Sequence, residues 1–139
     1  MVHECAMRSA PFLIAVLAAP IAGCTTAPSG SAGLAGTQWA VMRIDGAAPA
    51  IPDKAMVRFD EGRLAANVGC NGIGGDYRVE GGRLVAGPLM ATRMFCEGPV
   101  WQQEEAVNAL LSAAPEIQRK GSTMRLVSGG HALDLERVD

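Results

Sequence analysis

"MVRFDEGRLAANV", residues 56 to 68, alternates apolar and polar side chains on either side of Glu61-Gly62. Val57 and Phe59 share one face of the first half, and Leu64, Ala66 and Val68 share one face of the second. A period of two is strand patterning, and a glycine between two such runs marks a reversal, so the stretch predicts a β-hairpin with a dry and a wet face. "YRVEGGRLVAG" (77 to 87) repeats the device across Gly81-Gly82, with Tyr77 and Val79 alternating against Arg78 and Glu80. "TMRLVSGGHALDLERV" (123 to 138) does so again, setting Met124 and Leu126 against Leu133 and Leu135 across Gly129-Gly130. "TQWAVMRID" (37 to 45) adds an opening strand, followed by a loop through Pro49 and Pro52. The expected fold is mainly β within the α+β class: an antiparallel meander curled toward a small barrel, which hides its edges.

"GPVWQQEEAVNALLSAAPEI" (98 to 117) has a different period. Pro99 occupies a helix-start position, Glu104 and Glu105 are early acids, and Val100, Val107, Leu110, Leu111 and Ala114 form one stripe before Pro115. This predicts one amphipathic helix packed on the sheet. Trp101, on its first turn, and Trp39 are both expected to plug the core or its rim.

The 139 residues suffice for one modest core. Twelve Lys and Arg stand against 14 acids, with no basic stripe, which argues against a nucleic-acid partner. "APFLIAVLAAPIAGC" (10 to 24) is too short for a stop-transfer helix and runs into small residues before a cysteine. Ile21-Ala22-Gly23-Cys24 resembles a bacterial lipobox, which implies cleavage before Cys24 and lipid on that residue. Glu4 and His3 sit oddly in such a leader, and a start at Met7 gives the cleaner "MRSAPFLIAV". The expected division is a signal peptide over 1–23, lipidated Cys24 with a flexible tether over 24–36, and a folded domain over 37–139. The tether is small, polar and uncharged, with a root-mean-square span of about 20 Å. Two or more acyl chains give stable membrane anchoring. Thr25, rather than an aspartate, after the cysteine favours the outer membrane, with the domain facing the periplasm.

"GCNGIGGDY" (69 to 77) poses the functional question. A phosphate cradle needs glycines between a strand and a helix N-terminus, and a P-loop adds Lys-Ser/Thr; here the glycines lead into another strand and no lysine follows. Asn71-Gly72 reads as a turn, and Gly74-Gly75 as a bulge with positive φ or close backbone approach. Cys70 and Cys96 are the two cysteines of the folded part, and in an exported chain they most simply form a disulfide, worth about 3 to 4 kcal/mol in the chain-entropy picture. The competing reading makes Cys70 a nucleophile, which requires a base such as His131 with Asp134. The cysteine and histidine spacings match no recurrent zinc site and no loop has calcium spacing, so neither a metal nor another cofactor is expected. Asp76, Glu80 and Glu97 read as solvated charges. Arg93, alone among apolar residues in "MATRMF" (90 to 95), reads as a lock on the loop before Cys96 or as part of a binding surface.

Taken together, "GCNGIGGDYRVEGGRLVAGPLMATRMFC" (69 to 96), Trp39, the helix and the closing hairpin resemble the META domain of HslJ-like lipoproteins over residues 37 to 138. The motif positions are Cys70, Asn71, Thr92, Arg93, Met94 and Cys96. "GIGG" after Asn71 departs from the pattern, since many members place an aromatic residue there. The resemblance implies a small β-rich envelope protein with one helix, linked to heat shock and novobiocin resistance, and brings no enzymatic activity. The resulting expectation is a non-catalytic, lipid-anchored binding or structural module, with Asn71, Thr92, Arg93 and Met94 as an interaction surface for an envelope protein. The rivals are a cysteine-dependent enzyme, a hydrolase inhibitor using the Pro49 to Pro52 loop, and a barrel holding a small apolar ligand.

Overall fold

The computed structural model describes residues 33–138, so the expected leader, Cys24, most of the tether and Asp139 lie outside the described residues. The chain runs β1 (Thr37–Ile44), β2 (Met56–Phe59), β3 (Arg63–Asn67), β4 (Gly72–Glu80), β5 (Arg83–Ala86), β6 (Met90–Ala91), α1 (Pro99–Ser112), β7 (Glu116–Lys120), β8 (Thr123–Ser128) and β9 (His131–Val138), with a short 3-10 turn at Pro52–Lys54. Strands β1-β2-β3-β4-β5-β7-β8-β9 pair antiparallel in that cyclic order and close a barrel, while β6 adds a short extra partner to β4. The three hairpins form in the expected registers: Phe59 lies opposite Leu64, Val79 opposite Leu84, and Leu126 opposite Leu133.

The interior is the set of alternating apolar positions. Val57, Phe59, Leu64, Ala66, Val68, Met124, Leu126, Leu133 and Leu135 are all buried, and each large aliphatic among them contributes about 1.5 to 3 kcal/mol by leaving water. Strict alternation fails once in β1, where Val41 and Ile44 are both buried but three residues apart. A register shift against β9 between Val41 and Arg43 absorbs the extra residue and returns Ile44 to the interior, leaving Met42 outside. Trp39 is fully buried, as expected. Its indole N–H donates to Thr37 Oγ1 at 2.7 Å, and the Arg119 guanidinium lies 5.4 Å from the ring centroid. Phe59 and Tyr77 meet edge to face at 5.1 Å.

Helix α1 begins at Pro99, after Gly98, and buries Val107, Leu110 and Leu111 against β1, β5, β8 and β9. It stops earlier than the sequence predicts. Ala114, expected on the helix stripe, adopts a left-handed φ of 49° that turns the chain, and beyond Pro115, where the sequence ends the helix, residues 116 to 120 form β7, a strand not expected. The sequence hid β7 because only Ile117 of "EIQRK" is even half-buried, so no period-two signal exists. Carbonyls left open at the helix end accept from Arg83 (onto Ala114 O, 3.0 Å) and Ser128 (onto Ala113 O, 3.0 Å). The folded part also begins earlier than residue 37: Leu34, placed in the tether by composition, is a buried core residue.

Gly74 and Gly75 are regular residues of β4, opposite Ala65 and Leu64, and neither has a positive φ; the close backbone approach does occur. A Cβ on Gly75 would sit 2.9 Å from the Pro88 carbonyl, whereas one on Gly72 would meet nothing within 4 Å. We therefore expect Gly75→Ala to lower stability by about 1 to 3 kcal/mol, with Gly72→Ala within about 0.5 kcal/mol of wild type, in urea unfolding.

Candidate functional site

Between β3 and β4 the chain makes a corner that is built from polar groups. Asn67 Oδ1 accepts the Gly69 N–H at 2.7 Å and starts the turn. Gly69 has φ of 147°, and a Cβ there would lie 2.7 Å from Val100 of α1, so only glycine brings corner and helix this close. Asn71 follows, and the expected Asn-Gly reversal is not what forms: Gly72 already belongs to β4, and the Asn71 side chain turns inward, 3% exposed.

The buried amide is bonded at both ends. Oδ1 accepts from Thr92 Oγ1 at 2.9 Å and from the Met94 N–H at 2.7 Å. Nδ2 donates to the Met94 carbonyl at 3.2 Å and to Cys96 Sγ at 3.1 Å. Thr92 Oγ1 in turn accepts the Gly72 N–H at 3.1 Å, and the Thr92 N–H reaches Gly72 O at 3.0 Å. A disulfide joins Cys70 to Cys96, with Cα atoms 6.3 Å apart. Two independent ties, one covalent and one a network of hydrogen bonds, thus hold the loop from Thr92 to Cys96 against the β3–β4 corner.

Five of the six motif positions meet here. Met94 contributes its backbone, while its side chain is exposed. Arg93 does not lock the loop: it is exposed and has no ion pair among the described residues, and Asn71 performs the locking instead. Sequence reasoning missed Glu104, which is not a solvated helix-start acid but is 5% exposed on the second turn of α1, accepting the Asn71 N–H at 3.1 Å on Oε2. A glutamate at the centre of an otherwise apolar helix stripe carried that signal.

The pinned loop forms one wall of an open groove of about 760 Å³, lined by Asn71, Ile73, Leu89, Phe95, Trp101 and Glu104 among others. Its lip is apolar and wet. Phe95 is 86% exposed, Met94 57% and Trp101 46%, so Trp101 is no core plug, and Met90, outside the groove on the same loop, is 79% exposed. The run of apolar residues from Leu89 to Phe95 that fits neither strand nor helix period was the available clue.

His131 lies in a separate cluster. Its Nδ1 is 2.8 Å from Asp45 Oδ2, while Asp45 Oδ1 accepts the Ala132 N–H at 2.9 Å. Asp134, the partner considered for a triad, pairs with Arg125 instead, at 3.0 Å. Partial burial works against charge on Asp45, but the Ala132 amide and His131 outweigh it and hold the carboxyl below its ordinary value. With both sulfurs in the bridge and His131 on Asp45, the residues of a Cys70–His131–Asp134 triad are not brought together.

A profile of the META domain matches residues 32–139. The chain belongs to the META domain family. The match begins upstream of residue 37, in keeping with the buried Leu34. The chain is also similar to an NMR structure of a protein from Burkholderia xenovorans, which is 29% identical, with 76% of this chain and 83% of that one covered and a TM-score of 0.61. A second NMR structure, 20% identical over 72% of this chain and 87% of its own, has a TM-score of 0.63 and shows likeness of fold alone. Among curated proteins, none matches.

Removing the Asn71 side chain leaves buried donors and acceptors unpaired. Asn71→Ala is expected to lose about 2 to 4 kcal/mol and to make the 90–96 loop protease-sensitive with the disulfide intact; Asn71→Asp, which keeps the two accepting bonds but sets an oxygen against the Met94 carbonyl and a buried carboxylate beside Glu104, should be no milder, as read by urea unfolding and limited proteolysis. Because the Asp45 carboxyl is held low in the folded state, its contribution is present above its unfolded value and is lost as pH falls through the folded one. Urea midpoints taken from about pH 5 down to about pH 2 should therefore fall less steeply for Asp45→Asn than for wild type.

Proposed function

We propose that this META protein is a lipid-anchored component of the bacterial envelope, attached through Cys24 to the outer membrane and facing the periplasm, where it acts as a non-catalytic binding module in envelope stress tolerance of the novobiocin-resistance kind. The observation that carries the binding reading is the loop of Met90 to Cys96. It keeps Phe95 86% exposed beside Trp101 although a buried asparagine and a disulfide fix its backbone. Exposed aromatic and methionine side chains on a rigid support suit a protein surface, since little side-chain and loop entropy is lost on docking.

The anchor rests on the lipobox resemblance of Ile21-Ala22-Gly23-Cys24. It is compatible with the placement of the lip: Gly36 bonds to Phe59 at the β2–β3 turn end of the barrel, whereas Asn71 lies beyond the other end of β3. A lipid ahead of Gly33 then leaves the lip at the end away from the point of attachment. The non-catalytic reading is favoured because a bridged Cys70 has no thiolate with which to attack.

The test is complementation of a deletion strain. Wild-type protein should fractionate with the outer membrane and restore novobiocin tolerance, and Cys24→Ser should appear in the soluble fraction. The double variant Phe95→Ser, Trp101→Ser should remain folded, with stability within about 1 kcal/mol of wild type, yet fail to complement. A deletion strain as tolerant as its parent, or full complementation by the double variant, would overturn the proposal.

A further inference from the structure

The disulfide corner brings together three groups that the sequence kept apart. Cys70 Sγ, Cys96 Sγ and a carboxylate oxygen of Glu104 all lie within 4.8 Å of one another. Glu104 comes from α1 and is 5% exposed, and among the described residues no cation pairs with it. Its one hydrogen bond is to the uncharged Asn71 N–H. The other oxygen has no partner among the described residues and Glu104 lines the groove, so a cation entering from the groove can reach the carboxylate and finds no protein cation in its place.

The sulfur side fits the same cation. Asn71 Nδ2 donates to Cys96 Sγ at 3.1 Å, which stabilises a thiolate there and orients it. Cys96 also lies just ahead of the N-terminus of α1, where the helix favours negative charge. In a tetrahedral zinc site with Zn–S of about 2.3 Å, the two sulfurs stand about 3.8 Å apart. Side-chain rotation at two cysteines whose Cα atoms are 6.3 Å apart can supply that separation once the bridge is open.

We propose that in the reduced protein Cys70, Cys96 and Glu104 bind a thiophilic divalent cation of the zinc class, with a water in the fourth position. The disulfide and the metal are then alternative occupants of the same two sulfurs. A dithiol reductant opens the bridge by two thiol–disulfide exchanges: its first thiolate attacks one sulfur and displaces the other, and its second thiolate releases the mixed disulfide. The protein gains two electrons and two protons, and the reductant leaves as its own disulfide. Metal binding expels both thiol protons, and oxidation of the thiolates by a disulfide of sufficient potential restores the bridge and frees the metal. The site does not depend on the envelope role proposed above.

The test uses the full chain carrying Cys5→Ser and Cys24→Ser, so that Cys70 and Cys96 are the only thiols. The protein is reduced with a phosphine under nitrogen, titrated with Co²⁺ alone, and followed by thiolate-to-cobalt charge-transfer absorption. One Co²⁺ per chain, a tetrahedral ligand-field band and a higher thermal midpoint with metal are expected for the reduced protein, and none of these for the oxidised protein. Glu104→Gln retains an acceptor for the Asn71 N–H; it should keep the fold, read by circular dichroism, and weaken Co²⁺ binding by about tenfold or more. Adding Cys70→Ser and Cys96→Ser should abolish the band. A reduced, folded protein with no saturable band overturns the proposal. So does undiminished affinity in Glu104→Gln, or a reduced protein that is unfolded and stays unfolded with metal.

Discussion

Closing an antiparallel meander into a barrel demands that every strand find a partner on both sides, and in this protein the demand is met most thinly between β5 and β7. That junction has one registered pair, Arg83 with Glu116, against five between β7 and β8. Two backbone bonds flank it, Leu84 N–H to Pro115 O at 2.9 Å and Ile117 N–H to Gly82 O at 2.8 Å. So short a seam leaves apolar interior that a sheet alone would not cover. The chain between the two strands supplies the cover, because α1 packs Val107, Leu110 and Leu111 on strands from both sides of it. The helix is thereby part of the core, and its position is fixed by what the barrel lacks.

The site inherits that position. The same helix that seals the seam carries Glu104 to the Asn71 backbone and Trp101 to the groove, while Val100 contacts the corner closely enough that Gly69 admits no side chain. The covering segment must also cross from β6 to α1 with little sheet pairing of its own. Asn71 provides the partners that strands provide elsewhere, by presenting an acceptor and a donor to the Met94 peptide groups. A loop held by its backbone has no need to bury its side chains. Met90, Met94 and Phe95 can remain in water without the loop collapsing onto the barrel, which is the physical basis for reading them as a contact surface.

Two sulfurs, a buried amide and a buried carboxylate at one corner also give that corner a chemistry of its own. The covalent tie and the hydrogen-bonded tie converge on Cys96, which is bridged to Cys70 and accepts from Asn71. Opening the first therefore leaves the second in place, and the loop keeps an anchor while the sulfurs become available. His131 and Asp45 share none of this, lying on a different pair of turns and bonded to each other.

What the sequence determined by itself was most of what local period and local turns carry. The hairpins at Glu61-Gly62, Gly81-Gly82 and Gly129-Gly130, the buried face of each and the start of α1 at Pro99 were legible because alternation, glycine and proline are short-range signals, and the pairing of Cys70 with Cys96 because the folded part has two cysteines. Strand β7 was not legible, since its outer face is polar and its inner face is covered at Ile117 alone. Nor were the roles of Asn71, Glu104 and Trp101. An asparagine before glycine is ordinarily a turn, a glutamate on a helix is ordinarily solvated, and a tryptophan beside an apolar stripe is ordinarily buried. Tertiary structure reversed all three, because closing the barrel brings one loop, one corner and one helix turn into one space where their backbone groups have few strand partners. Asn71 and Glu104 are drawn into that space to bond what is buried there, and Trp101, one turn off the packed face, is left at its mouth.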